Sequence, residues 1–279
     1  MIIASAVVYV NNMQKFSLKQ NNNIWYGSFE LFEQYKILTA CSCRMHGLSS
    51  VAEGTLNLAL HVDDNQQYVL ANRQAFADAI GVDADRFTTC QQVHGNKVAI
   101  VDESLVSSGA KDFADTIAGT DALITDLKNV PLLLFYADCV PVLLADIKTG
   151  CIGLAHAGWR GSVAEITVQT VQQMINAFNC RPEQIIAGIG PSIGSCCYEV
   201  DDFVYQQASA YHECFTSHGD GKYHLDLWKM NEMQLVNCGI LPEHIAVAGV
   251  CTNHNKELFC SYRAENGKTG RMGVCICRK

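Results

Sequence analysis

Cys139, His156 and His94 are the residues of this chain whose types and spacing could do chemistry together. Two of them bracket the stretch Tyr136–Gly161, YADCVPVLLADIKTGCIGLAHAGWRG. Its apolar runs Val140–Ala145 and Cys151–Ala155 flank a turn-like Asp146-Ile147-Lys148-Thr149-Gly150, a pattern that predicts a β-hairpin. With the turn centred near Lys148-Thr149, antiparallel pairing sets Cys139 opposite residues 157–158, a step or two from His156. His94 lies in QQVHGNKVAIV, where His94-Gly95-Asn96 marks a turn before the strand-like Lys97–Val101 and so places the imidazole at a rim. One thiolate and two imidazoles are ligand types that Zn²⁺ prefers, and three protein ligands leave a fourth position for water or substrate. The same proximity would serve Cys–His nucleophilic catalysis, with Cys139 attacking and His156 as base. Residue types alone leave both readings open.

The elements that must hold these residues alternate. Ile2–Val10 and Ile37–Cys43 read as strands, with Asn21-Asn22-Asn23 as an exposed turn between them. Residues 44–60 read as loop. Asp64–Ile80 has helical apolar spacing, stopped by Gly81 and carrying Asn72 and Arg73 in mid-span. Residues 102–119 are polar and without periodicity, which suggests a mobile loop or lid. A helix is expected over Ser162–Phe178, a buried strand at Ile185–Ile189, then the glycine loop Gly190-Pro191-Ser192-Ile193-Gly194-Ser195. Helical spacing returns over Asp201–Tyr211 and Leu225–Gly239, and Ile245–Val250 and Met272–Cys277 read as strands. The expected fold class is therefore α/β: one domain over residues 1–279, with a mixed β-sheet core flanked by helices.

Composition narrows the function. At 279 residues, 49% hydrophobic and 17% charged, the chain can bury a substantial core. A net charge of −8 with no long Lys/Arg run argues against nucleic acid as a partner. The apolar start MIIASAVVYV lacks a positively charged leader and no later run reaches membrane-spanning length, so no membrane partner and a cytoplasmic location are expected. Fourteen cysteines are dispersed through apolar runs, and no C-x-x-C occurs. The close pairs Cys41/Cys43, Cys196/Cys197 and Cys275/Cys277 are read as reduced packing thiols. Neither a G-x-x-x-x-G-K-[ST] loop nor a dinucleotide fingerprint is present, which disfavours nucleotide cofactors.

Several motifs together resemble a known family. Q-Q-V-H-G at 91–95, T-D-A-L-I-T at 120–125, A-D-C-V-P at 137–141, A-H-A-G-W-R-G at 155–161, G-P-S-I-G-x-C-C-Y-E-V at 190–200, S-Y-R at 261–263 and T-G-R-M at 269–272 closely resemble the YfiH-like family, also called laccase-domain or polyphenol oxidase proteins. The resemblance is clearest from about residue 40 to the C-terminus, with T-L-N-L at 55–58 and N-R at 72–73 as earlier pieces. It implies a zinc-dependent purine nucleoside enzyme that phosphorolyses adenosine, inosine and 5′-methylthioadenosine and deaminates adenosine; some bacterial members are linked to peptidoglycan editing. By the same resemblance the zinc ligands are His94, Cys139 and His156, and Arg44, Arg160 and Arg263 bind substrate or phosphate. His46-Gly47 stands where the family more often has Gly-Gly, and Ala264 where a second arginine is common, departures that leave the metal ligands untouched.

Physical chemistry weighs these implications. A Zn²⁺ with one thiolate and two neutral imidazoles is a net positive centre that can activate water or orient phosphate. The zinc deaminase signature H-x-E with P-C-x-x-C is absent. Asp138 and Asp121 are candidates for acid/base or orienting work, and equally for accepting backbone hydrogen bonds. Arg160, at the start of the expected helix after His156, is placed to hold an anion beside the metal. A multicopper oxidase needs many imidazoles, typically in H-x-H pairs, and this chain has nine His and no such pair. Copper remains the alternative metal for the three-ligand site, since its intrinsic affinity exceeds that of zinc. The competing functions are a Cys–His hydrolase, with cell-wall editing as one use, and a copper-dependent polyphenol oxidase.

Overall fold

In a computed structural model, residues 16–52 and 54–279 are described. The expected strand Ile2–Val10 lies outside these residues. In chain order the elements begin with strands β1 (Phe16–Asn21) and β2 (Ile24–Phe29), helix α1 (Glu30–Glu33), β3 (Ile37–Ser42), α2 (Gln66–Ile80), β4 (Val98–Ile100), β5 (Ala122–Thr125) and β6 (Leu132–Tyr136). The central hairpin follows as β7 (Val140–Asp146) and β8 (Ile152–Ala157), then α3 (Trp159–Val163), α4 (Ile166–Phe178) and β9 (Ile185–Ile189). The last third comprises β10 (Glu199–Asp201), α5 (Asp202–Gln207), β11 (Phe215–Gly219), β12 (Lys222–Leu225), α6 (Leu227–Asn237), β13 (Ile245–Val247) and β14 (Met272–Arg278).

The class is α/β, with a mixed sheet flanked by helices, but the strands form more than one sheet. A mixed six-stranded sheet has the order β13-β9-β7-β8-β5-β4, and an antiparallel five-stranded sheet the order β1-β2-β3-β14-β6. A small third sheet runs β10-β12-β11. Leu143, Ala145 and Leu154 of the first large sheet pack with Leu132, Leu134, Val274 and Ile276 of the second in one core. On the outer face of the six-stranded sheet, Val140, Val142 and Leu144 meet Ile166, Val171 and Met174 of α4. On the outer face of the five-stranded sheet, Leu133, Phe135 and Cys275 meet Phe76, Ala77 and Ile80 of α2. The order of layers is thus helix, sheet, sheet, helices. Strands apolar on both faces lose polar alternation, which is why β6 and β7 are continuous apolar runs.

Some expectations are met and others corrected. Helix α2 starts where the Asn65 side chain accepts from Gln67 N and ends at Gly81 in the left-handed region. The turn at Asn22-Asn23 is present, with both residues at positive φ, but it joins β1 to β2 in a hairpin that spacing had not predicted. The helix expected over 162–178 is two helices, broken at Glu165, whose φ is 62° and whose Oε1 accepts from Tyr211 Oη at 2.6 Å. The helical stretch expected to Tyr211 is α5 to Gln207 followed by a 3-10 helix over Ser209–Cys214, and the β11–β12 hairpin has no counterpart in the expected elements. Residues 102–119 are tied to neighbouring elements, and Phe113 packs against His61 with ring centroids 5.8 Å apart. Thr89 N donates to Ser108 O at 2.9 Å and Arg73 Nη1 to Gly109 O and Ala110 O at 2.7 and 2.8 Å, and none of these loop residues lines the main cavity. Among the described residues no helix is long and apolar enough to cross a membrane.

Candidate metal centre

The hairpin register brings the first two residues together. Val140 pairs with Ala157 and Pro141 with His156, so Cys139 comes level with Gly158 at the rim. Cys139 also ends the short link Ala137-Asp138-Cys139 by which the chain leaves β6 in one large sheet and enters β7 in the other. Gly158 is required there: a Cβ would lie 2.8 Å from Cys139 Sγ and 3.3 Å from His94 Cδ2.

His94 reaches the same point from the turn before β4. Its φ of 60° is the left-handed conformation of a tight turn. Asp121, fully buried just before β5, stabilises that turn by accepting from Val93 N at 3.2 Å, His94 N at 2.8 Å and Gly95 N at 2.7 Å. Gln92 secures the segment to β6, its side chain donating to Phe135 O at 2.6 Å and accepting from Phe135 N at 2.8 Å. The imidazoles of His94 and His156 meet edge-on with centroids 4.9 Å apart. One donor atom each from His94, Cys139 and His156 lies within 4.8 Å of the others.

Asp121 serves the second histidine as well. Its Oδ1 lies 3.1 Å from His156 Nδ1. A carboxylate only accepts, so Nδ1 carries the hydrogen and Nε2 is left for a metal. Burial pushes the Asp121 carboxyl up, but hydrogen bonds from His156 and the backbone outweigh it and hold it below the ordinary range. Burial likewise pushes the Cys139 thiol up, yet the charge of His156 and hydrogen bonds from His156 and His94 bring it down to about 6. Burial pushes the His156 imidazole down, whereas Cys139 and Asp121 raise it to about 9. The metal-free pair therefore favours thiolate and imidazolium. One soft thiolate and two imidazoles, one of them oriented through its second nitrogen by a carboxylate, are a donor set that fits a zinc-like ion.

These groups line a cavity of about 530 Å³. Arg160 and Arg263 line it too, Arg160 with its guanidinium 4.4 Å over the Trp159 ring and Arg263 donating to Glu199 O at 3.0 Å and lying 5.2 Å over Tyr198. Asp138 borders the cavity, but its carboxylate is occupied: Oδ1 accepts from Thr252 Oγ1 at 2.6 Å, Oδ2 from Ser261 Oγ at 3.1 Å and Arg263 N at 2.7 Å. Arg44 lies elsewhere, in a shallower cavity of about 310 Å³, paired with Glu265 Oε1 at 2.8 Å and donating to Lys256 O at 3.0 Å. His61, Gln92, Phe135, Trp159, Tyr198, Tyr262 and Arg271 also line the main cavity and were not assigned from sequence. Gln92, Trp159, Tyr198, Tyr262 and Arg271 stand inside the motifs already singled out, so those motifs were the available signal. Nothing in the pattern around His61 marked it.

Residues 38–279 match the model of a family described as "Multi-copper polyphenol oxidoreductase laccase". The chain belongs to that family. Among relatives in the wider comparison, a protein named purine nucleoside phosphorylase YlmD of Geobacillus stearothermophilus is 38% identical over 81% of this chain and 84% of its own. A protein of the same name from Bacillus subtilis is 35% identical over 85% of this chain and 87% of its own. The crystal structure of YlmD from Geobacillus stearothermophilus superposes with a TM-score of 0.89 at 34% identity, covering 94% of this chain and 98% of that one. The fold is thus that of the YlmD and YfiH structures.

Proposed function

We propose that the protein is a cytoplasmic purine nucleoside phosphorylase that holds zinc on His94, Cys139 and His156, acts on adenosine, inosine and 5′-methylthioadenosine, and also deaminates adenosine. The observation that carries this reading is the convergence of those three donors within 4.8 Å in the wall of a cavity that also presents Arg160, Arg263 and Arg271. The names of the two YlmD relatives support it. When bound, the ion supplies a Lewis acid beside the substrate.

The chain's own residues do the rest. Asp121 orients His156 and the His94 turn. Arg160 offers its fork to an anionic phosphate, and Arg263 and Arg271, which also donate to Glu199 O and to Thr269 O and Gly270 O, offer their remaining N–H groups. Phe135, Trp159, Tyr198 and Tyr262 offer ring faces for a purine. Asp138, which accepts three hydrogen bonds, positions the loops bearing Thr252, Ser261 and Arg263. Arg44, through Glu265, supports that same loop from behind. In phosphorolysis a phosphate oxygen bonds to C1′ of the ribose, the C1′–N9 bond breaks, and its electron pair passes to the purine, which takes up a proton. In deamination water adds at C6 and ammonia leaves. Two imidazoles at the centre are too few for a cluster of several coppers, which weighs against polyphenol oxidation. Fourteen cysteines dispersed through the chain, most of them buried as small apolar side chains, support a reducing compartment.

The test is incubation of zinc-loaded protein with adenosine, with and without phosphate, followed by separation of products. Adenine with ribose 1-phosphate is expected only with phosphate, and inosine without it; conversion of no nucleoside defeats the reading. The lowered Cys139 thiol favours one rival, a Cys–His hydrolase. A covalent adduct on Cys139, trapped during turnover and detected by mass spectrometry, would establish that rival instead.

A further inference from the structure

Cys196 and Cys197, read from the sequence as packing thiols, do not pack into the core. Cys196 is exposed and Cys197 half-buried, in the turn that follows the glycine loop. Across from them, on the loop after β13, stand Cys251 and His254. Cys196 Sγ lies 3.6 Å from His254 Nδ1, Cys251 Sγ accepts a hydrogen bond from Gly194 N at 3.3 Å, and the four donor atoms all lie within 4.8 Å of one another. We propose that Cys196, Cys197, Cys251 and His254 form a second metal site, a closed set of three thiolates and one imidazole for Zn²⁺, distinct from the centre on His94, Cys139 and His156.

The chemistry of the set fits a structural ion. Three thiolates and an imidazole complete a tetrahedral shell with no position left for substrate, and their softness selects zinc among common divalent ions. Tetrahedral bonds of roughly 2.3 Å to sulfur and 2.0 Å to nitrogen put the two atoms about 3.5 Å apart, close to the 3.6 Å between Cys196 Sγ and His254 Nδ1. Adjacent cysteines depart from the usual two-residue spacing, and the local turn resolves this. Cys197 N and Tyr198 N both donate to Gly194 O, at 2.9 and 3.0 Å, so the chain folds back. On the other side Asn255 N donates to Cys251 O at 3.1 Å, a turn that brings Cys251 and His254 together. Gly194 leaves room for the set, since a Cβ would stand 3.2 Å from Cys196 Sγ and 2.9 Å from the Trp228 ring. Its amide meanwhile donates to the Cys251 sulfur, an outer hydrogen bond of the kind that supports a thiolate ligand.

Binding exchanges the three thiol protons for one ion. The ion would join two loops that otherwise meet at the Ser192–Cys251 bridge and through the Gly194–Cys251 hydrogen bond. Ile193 and Tyr198 of the first loop line the main cavity, and Thr252 of the second donates to Asp138, so the site would stiffen that wall.

Protein purified with reductant, stripped with a chelator, reloaded with Zn²⁺ alone and freed of excess should hold about two zinc ions per chain by inductively coupled plasma mass spectrometry. His254→Ala and Cys196→Ser, both at exposed side chains and so mild for folding, should each lose one equivalent. Cys139→Ala should lose the other and, loaded with Co²⁺, still show an intense thiolate-to-cobalt charge-transfer band. Failure of the first centre alone would leave Cys139→Ala content unchanged while His254→Ala still loses an ion. Zinc content unaffected by both His254→Ala and Cys196→Ser, no ion retained by Cys139→Ala, or a disulfide among the three cysteines in protein alkylated at lysis would overturn the second site.

Discussion

Asp121 and His156 are joined twice: the imidazole Nδ1 lies 3.1 Å from the carboxylate Oδ1, and the His156 amide donates to the Asp121 carbonyl at 2.9 Å. The first bond sets the tautomer and the second the strand register, so a carboxylate outside the cavity lining directs the nitrogen that would bind the proposed ion. Asp121→Asn should weaken zinc binding at this centre by roughly 10- to 100-fold, as orienting partners of metal ligands do. Competition with a chromophoric chelator measures it, and unchanged affinity would remove Asp121 from the centre.

Cys139→Ala and His156→Ala should each release the zinc of this centre while remaining folded, because both side chains stand at the rim of the hairpin, in the wall of the cavity. Metal analysis together with thermal unfolding checks this. Full zinc content in both variants would refute the ligand assignment.

The pH dependence follows from the shifted pair. With Cys139 lowered to about 6, its thiolate dominates above that pH in metal-free protein. Alkylation by iodoacetamide should therefore rise with a midpoint near 6, well below that of a free thiol, and bound zinc should suppress it. His156→Ala removes the largest lowering influence and should move the midpoint upward. Below pH 6 protons compete for the sulfur and zinc should dissociate. A midpoint in the ordinary thiol range for the unmodified chain would contradict the electrostatics.

Arg160 lines the cavity, stacks on Trp159 and has no carboxylate partner among the described residues. If it holds phosphate, Arg160→Ala should raise the KM for phosphate about 10-fold, the loss of one charge-assisted fork. Zinc content and phosphate-independent deamination should change little. An unaltered phosphate KM would sink the assignment.

Arg73 is buried with no carboxylate partner among the described residues, donating to Leu58 O at 2.7 Å as well as to Gly109 O and Ala110 O, with its guanidinium 4.9 Å over Phe135. Replacing it by Met keeps volume and orphans those carbonyls, so Arg73→Met should cost on the order of 3 kcal/mol by denaturant unfolding. A loss within about 0.5 kcal/mol, as at an ordinary surface position, would show that the carbonyls find other partners.

Local pattern was sufficient wherever a segment's neighbours are also its neighbours in sequence. The turn at Asp146–Gly150 dictates the pairing of β7 with β8 and so the meeting of Cys139 with His156. Asn65 and Gly81 bound α2, and the apolar block Ile185–Ile189 is β9 to the residue. The motifs at 91–95, 120–125 and 137–141 likewise named a family before any contact was known. Tertiary structure alone decided that β6 and β7 belong to different sheets, because strands covered on both faces carry no alternation to say which face meets what. It also decided the role of Asp121, which accepts from a turn some 26 residues away, and the grouping of Cys196, Cys197, Cys251 and His254 across 58 residues. Such partners are selected by the packing of whole layers, and no spacing rule within a single segment encodes them.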